Sequence, residues 1–158
     1  ETIVSICCTS YNHETYIEDA LDGFLIQKTD FPFEILIRDD CSDDSTVEII
    51  RAYAKRYPSI IKAYYEKENT YSRGIRPFPQ LLKKPKAKYI ALCEGDDYWT
   101  DPYKLQRQVE ILEKNPEISL VATKTVIKNA NSSHITGRAG FFDICDFISI
   151  LNGFISPS

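Results

Sequence analysis

Two hydrophobic periods alternate along the chain. Ile3 to Thr9 is a short, nearly continuous apolar run, the pattern of a strand buried on both faces in a parallel sheet. Beyond the polar stretch Ser10-Tyr11-Asn12-His13-Glu14, the residues Ile17, Ala20, Leu21, Phe24 and Leu25 recur at helical spacing, so a helix is predicted to about Gln27. Phe33 to Arg38 is a second buried strand and ends in Asp39-Asp40. Ser45-Thr46-Val47-Glu48 has the spacing of a capping box. The helix behind it carries Val47, Ile50, Ala54 and Tyr57 and stops at Pro58.

Ile60 to Tyr65 reads as a third strand. A polar stretch with Arg73, Gly74, Arg76 and Pro77 follows, then a short amphipathic piece around Leu81-Leu82. Tyr89 to Cys93 is a fourth strand that runs into Glu94-Gly95-Asp96-Asp97. Thr100-Asp101-Pro102 marks a helix start, since proline suits the first turn. Leu105, Val109 and Leu112 line one face of that helix, which ends before Pro116. Leu120 to Ile127 is predicted as a fifth strand and Asn129 to Gly140 as a loop. Asp146 to Asn152 is expected to be a short helix closed by Gly153. Strands alternating with helices imply an α/β fold of three layers, α/β/α, around a mostly parallel sheet.

The 158 residues are enough for one core. A net charge of −4 argues against a nucleic-acid partner. It leaves room for a nucleotide, because a divalent cation can supply positive charge. Of the five cysteines, Cys7, Cys8, Cys41, Cys93 and Cys145, none forms a Cys-x-x-Cys pair, and there are two histidines, so structural zinc is not expected. Reduced, buried thiols in a cytosolic protein are the plain reading. No apolar run reaches the ~18 residues of a membrane span. The expected location is the cytoplasm, with peripheral attachment at the inner face of the membrane left open. Asn131-Ser132-Ser133 fits a glycosylation sequon but carries no weight in a cytosolic chain. Lys83, Lys84, Lys86 and Lys88 read as a solvated surface. The final Phe154-Ile155-Ser156-Pro157-Ser158, at the apparent start of another strand, suggests part of a longer protein.

In an open parallel sheet, ligands bind beyond the carboxyl ends of the strands, where the strand order reverses. Polar clusters fall at three such ends: Thr9-Ser10-Tyr11-Asn12, Asp39-Asp40, and Glu94 with Asp96 and Asp97. Five acidic groups on one edge repel one another unless donors or a cation compensate them. Carboxylate oxygens suit Mg²⁺ or Mn²⁺. His13 is expected as an exposed loop residue, and Trp99 either as core or as a substrate platform.

These residues resemble glycosyltransferase family 2. The resemblance rests on Thr9-Ser10-Tyr11-Asn12, on Asp39-Asp40 with Ser42, and on Tyr89 through Asp97, and it continues through Asp101-Pro102 and Lys104-Leu105. It implies a GT-A (Rossmann-like) nucleotide-sugar-binding domain. The nucleotide contacts it implies are Thr9, Tyr11, Asn12, Asp39, Asp40, Arg73, Glu94 and Asp96. Thr9 and Tyr11 would meet base and ribose, Asp40 would accept the N3–H of uracil, and Asp39 would support that loop. Arg76 is an alternative to Arg73. The metal ligand would be Asp97 or Asp96, and the resemblance does not choose between them. Glu94 stands where the family's metal motif has aspartate. The implied reaction is inverting transfer from a nucleotide sugar, most simply a UDP-sugar, to a saccharide or lipid-linked acceptor in surface-glycan synthesis. The acceptor-binding part and the catalytic base are expected beyond Ser158.

The rival readings are a sugar-1-phosphate nucleotidyltransferase, a receiver-like regulatory domain and a non-catalytic nucleotide-binding module. The first wants a glycine-rich basic loop after strand one, and Ser10 to Glu14 has no glycine, lysine or arginine. The second wants a lone aspartate after strand three, where Glu66-Lys67-Glu68 stands instead.

Overall fold

A computed structural model describes residues 1–123, 125–129 and 132–136. The helix expected at Asp146–Asn152, its stop Gly153, and Cys145 lie outside the described residues. The chain divides into two compact units, Glu1–Gln106 and Arg107–Ser158.

Unit 1 holds one sheet of four parallel strands: β1 (Val4–Ser10), β2 (Phe33–Asp39), β3 (Ile61–Tyr65) and β4 (Tyr89–Glu94). Their spatial order is β3-β2-β1-β4. Helices α1 (Ile17–Leu25) and α2 (Thr46–Arg56) connect β1 to β2 and β2 to β3, both steps in one direction across the sheet. Right-handed crossovers therefore put these two helices on the same face. The Tyr53 hydroxyl of α2 accordingly donates to Asp22 Oδ1 of α1 at 2.8 Å. The chain then crosses back from β3 to β4, and α3 (Pro77–Leu81) covers the other face. There Leu81 packs with Cys7 and Leu36, flanked by Tyr64, Phe78 and Leu82. The expected layering of helix, parallel sheet and helix is present.

Side chains alternate across a sheet, so Ile6, Cys8, Ile35 and Ile37 point to the face of α1 and α2. All four are fully buried, as are Ile17, Leu21, Phe24 and Ile50 of the helices. Each such side chain contributes about 1.5–3 kcal/mol by leaving water. Burial, with Glu34 as a lesser cause, pushes the Cys7 thiol up to about 12. Burial first, then Asp97, does the same for Cys93. Cys41, by contrast, is half-exposed, so the expectation of uniformly buried thiols fails at that position.

Local signals differ from expectation in three places. Ser45 makes no side-chain cap bond to α2. Asp44 Oδ1 instead accepts the Thr46 N–H at 2.9 Å, and Glu14 Oε2 accepts the Ser45 N–H at 3.0 Å. Glu14 thus holds the Ser45 N–H that Glu48 would accept in a capping box, and Asp44 satisfies a free N–H of the first turn. The predicted fifth strand begins late: β5 is Thr125–Asn129, and Leu120 is exposed. The expected loop after it contains β6 (Ser132–Thr136), which pairs antiparallel with β5 and sets Val126 opposite Ile135. β5 and β6 form their own two-stranded sheet in unit 2, apart from the parallel one. No described helix is long and apolar enough to cross a membrane.

Helix α4 (Lys104–Lys114) begins in unit 1. Asp101 Oδ1 accepts the Tyr103 N–H at 2.9 Å, and Gln27 Oε1 accepts the Leu105 N–H at 3.1 Å. Trp99 is core: it is buried and meets Phe24 edge-on, with ring centroids 4.8 Å apart. Its backbone lies so close to α1 that a Cβ on Gly23 would fall 2.7 Å from the Trp99 carbonyl oxygen and 2.8 Å from its nitrogen. Backbone atoms cannot turn aside as a side chain can. Gly23→Ala is therefore expected to destabilise unit 1 by about 1–3 kcal/mol, read as a lower urea midpoint at unchanged slope.

Candidate functional site

β1 is the strand from which the chain departs in both directions, so its carboxyl end is the reversal point of the sheet. Register brings the three polar clusters to that end. Thr9 stands opposite Arg38 of β2 and opposite Glu94 of β4. Beyond the strands, the Asp40 N–H donates to the Ser10 carbonyl and the Gly95 N–H to the Thr9 carbonyl, both at 2.9 Å. One strand end thus carries the Asp39-Asp40 loop on one flank and the Glu94–Asp97 turn on the other.

The loop after β1 is laced to the loop after β2. Asn12, at φ 54°, donates its N–H to Ser42 Oγ at 2.9 Å and accepts the Asp43 N–H on Oδ1 at 3.0 Å. Asparagine tolerates that left-handed backbone better than most residues. The His13 N–H donates to Thr46 Oγ1 at 2.8 Å, and the Glu14 N–H to Asp44 Oδ2 at 3.0 Å. Tyr11 stays exposed at the rim, and Thr9 is half-buried below it.

Asp39 and Asp40 are each 1% exposed and serve different loops. Asp39 Oδ1 accepts the Ser42 N–H at 2.9 Å, and Asp39 Oδ2 accepts the Ser42 hydroxyl. These bonds hold the turn through Cys41, whose φ of 68° is costly for a residue with a Cβ. Asp40 Oδ1 accepts the Thr70 hydroxyl at 2.5 Å, and Asp40 Oδ2 accepts the Tyr71 N–H at 2.9 Å. Both carboxylates are therefore compensated by donors from their own chain. Of the five acids, only Glu94, Asp96 and Asp97 are exposed.

The charge that organises Asp40 is Arg38, whose side chain is 5% exposed. Its Nε donates to Glu66 Oε1 at 3.0 Å and its Nη2 to Thr70 Oγ1 at 3.1 Å, while Nη1 lies 3.4 Å from Asp40 Oδ1. Because Thr70 Oγ1 accepts from the guanidinium, its own proton is free for Asp40. Arg38 thus ties β2 to residues 66–71. It also lines a cleft of about 480 Å³ with Tyr64, Thr70, Ile75 and Lys84.

Arg73 sits in a single 3₁₀ turn, Tyr71–Arg73, ended by Gly74 at φ 77°. Its side chain is largely exposed and pairs with Glu68. On the other flank, the Asp97 carboxyl is raised above the ordinary carboxylate range. Burial is the main cause and the charge of Asp96 the second, while His13 draws it the other way. Among the described residues, no group of three or more His, Cys, Asp or Glu side chains is gathered as a complete metal site. The Asp96–Asp97 pair fits a cation that takes one or two carboxylates and fills its other positions from a ligand's oxygens.

All eight residues expected at a nucleotide are near this rim or on the loops bound to it, but Asn12, Asp39, Asp40 and Arg73 have partners within the chain. Sequence reasoning passed over Arg38 and Thr70. A charged residue inside the run Phe33-Glu34-Ile35-Leu36-Ile37-Arg38 is the available signal, since a buried guanidinium demands acids nearby.

The model of the family described as "Glycosyl transferase family 2" matches residues 5–152. The chain belongs to that family. An uncharacterized protein of Mycobacterium tuberculosis is 47% identical over 118 residues, covering 74% of this chain and 33% of that protein. The putative teichuronic acid biosynthesis glycosyltransferase TuaG of Bacillus subtilis is 34% identical over 110 residues, covering 70% of this chain and 42% of TuaG. Among solved structures, S. aureus TarS 1-349 in complex with UDP superposes with a TM-score of 0.62 at 25% identity, covering 73% of this chain and 33% of that one. The chain therefore spans well under half the length of these family 2 relatives. The four-stranded parallel sheet with flanking helices is the GT-A-like arrangement of TarS. Family membership leaves the receiver-like reading without support.

Replacing Arg38 with methionine removes the cation from two carboxylates, one of them fully buried. Arg38→Met is expected to destabilise unit 1 by about 3 kcal/mol, measured by urea unfolding against wild type.

Proposed function

We propose that the chain binds a uridine diphosphate sugar together with Mg²⁺ or Mn²⁺ at the carboxyl end of β1, as the donor-binding part of an inverting glycosyltransferase. The observation that carries this is the pair of backbone bonds that place Asp40 and Gly95 on either side of the same strand end. TarS, a fold relative, is seen with UDP.

In this reading, Thr9 and Tyr11 border the base and ribose, and Glu94 and Asp96 face the ribose and diphosphate. Asp39 and Asn12 act by shaping the two loops that form the rim. Asp40 accepts the N3–H of uracil: each carboxylate oxygen has two lone pairs, so Oδ2 can take this bond beside the Tyr71 N–H that it already accepts. Arg73 reaches the phosphates by exchanging Glu68 for them. Asp96 and Asp97 hold the cation, and Asp97 is assigned as the principal ligand. When bound, the cation would supply positive charge against the charge that grows on the leaving diphosphate. The Asp97 carboxyl, held above its ordinary range by burial first and by the charge of Asp96 second, takes up this role more fully as pH rises.

The acceptor is proposed to be a saccharide or lipid-linked hydroxyl in surface-glycan synthesis, in line with the name of TuaG. Activity is placed on the cytoplasmic side of the membrane. The base that removes the acceptor proton is assigned to sequence beyond Ser158.

Calorimetry of UDP with and without Mn²⁺, on wild type and Asp97→Ala, tests the reading. Mn²⁺ is expected to tighten UDP binding by about tenfold or more, near 1.4 kcal/mol, and Asp97→Ala to remove that increment. UDP binding indifferent to both the metal and the substitution would overturn it.

A further inference from the structure

His13 lies beside the acidic turn. Its backbone is fixed from both sides. The N–H donates to Thr46 Oγ1 at 2.8 Å, and the carbonyl accepts the N–H groups of Tyr16 and Ile17 at 2.9 and 2.8 Å. Thr46 is fully buried, so the imidazole is delivered by a turn with little freedom. The ring lies against the backbone of Gly95. A Cβ there would fall 2.8 Å from His13 Nδ1, 3.0 Å from Ile17 Cδ1 and 3.2 Å from Ser10 Cβ. Glycine at position 95 is what lets the ring come this close to the Glu94–Asp97 turn.

Two buried polar atoms at this point make no hydrogen bond: His13 Nδ1 and Ser10 Oγ. Leaving such a group without a partner is unfavourable. Native structures keep few of them, and each calls for an explanation such as strain, a catalytic role or a bound water or ion. Asp97 stands two residues beyond Gly95 on the same turn, which the Asp97 N–H closes by donating to the Glu94 carbonyl at 3.2 Å. A carboxylate that holds a cation through one oxygen needs a donor on the other to keep its orientation, and imidazole is well suited to that task.

We propose that His13 is a positioning residue for the cation-holding turn, its imidazole donating the hydrogen bond that orients the Asp97 carboxylate when a divalent cation is bound. This rests on the assignment of Asp96 and Asp97 as the cation pair. The ring does not touch the nucleotide or the metal. It acts through Asp97, and the rigid Ser10–His13 turn couples the Asp39-Asp40 loop to the acidic turn through the same few residues.

The test measures Mn²⁺ directly. The free-Mn²⁺ signal in electron paramagnetic resonance is titrated with the protein at fixed UDP, against a protein-free blank. The proteins are wild type, His13→Ala, His13→Gln and Asp97→Ala. His13→Ala is expected to weaken Mn²⁺ by about tenfold to a hundredfold, the usual effect of losing such an outer partner. His13→Gln keeps a donor and should recover most of the loss. Metal-free UDP affinity and the thermal midpoint should stay at their wild-type values in both. If His13→Ala holds Mn²⁺ as tightly as wild type while Asp97→Ala does not, the proposal is wrong. A parallel fall in thermal midpoint and metal-free UDP affinity in both His13 variants would show mere packing and overturn it equally. If Asp97→Ala itself retains full Mn²⁺ affinity, the cation pair is misassigned and this proposal falls with it.

Discussion

The hydrogen-bonded register of one strand governs the arrangement of the site. β1 is paired on both sides, so its end fixes where β2 and β4 must stop. A slip of one residue on either side would exchange the faces of every side chain beyond it. Cys7 and Leu36 would then leave the α3 side, and the burial of Ile6, Cys8, Ile35 and Ile37 would be lost. The core thus enforces the register, and the register places the Asp39-Asp40 loop and the Glu94–Asp97 turn on either side of Ser10. Neither acidic segment needs to recognise the other. Each is delivered by its own strand.

Charge is then divided between the two flanks. On the β2 side, Arg38, Thr70, Tyr71 and Ser42 supply cation and donors to Asp39 and Asp40, which are buried and committed to shaping loops. On the β4 side, Asp96 and Asp97 stay exposed, and the Asp97 carboxyl is held above the ordinary range by burial first and by the charge of Asp96 second. A neutralised flank that organises loops stands beside an exposed acidic flank. That asymmetry is the chemical content of the rim, and it follows from Arg38 lying on β2 with no described equivalent on β4.

Much of this was legible from periodicity. The four parallel strands and the helices between them follow from apolar runs and 3.6-residue spacing, and the acids fall at strand ends because parallel topology puts all carboxyl ends on one edge. Hydrogen-bond partners were not legible. Thr70 and Tyr71 lie about 30 residues from Asp40, on a segment whose only local signals are polar. The capping box of Ser45 and Glu48 was a sound local pattern, but Asp44 and Glu14 offered stronger acceptors. β6 was missed because Ser132-Ser133-His134 lacks alternation, its strand character coming from pairing with β5. His13 looked like an exposed loop residue; it does lie in a loop but is half-buried, because Gly95 makes room for its ring, which nothing in the sequence tells.

The proposed function requires that one strand end gather both acidic segments around a shared ligand. Paramagnetic broadening of amide resonances by Mn²⁺ in the presence of UDP measures this most directly. Selective broadening is expected at residues 9–13, 39–42 and 94–97, with residues 27–32 and 86–88 at the opposite edge of the sheet staying sharp. Broadening centred on 27–32 and 86–88, or confined to 94–97 without the Asp39-Asp40 loop, would contradict it.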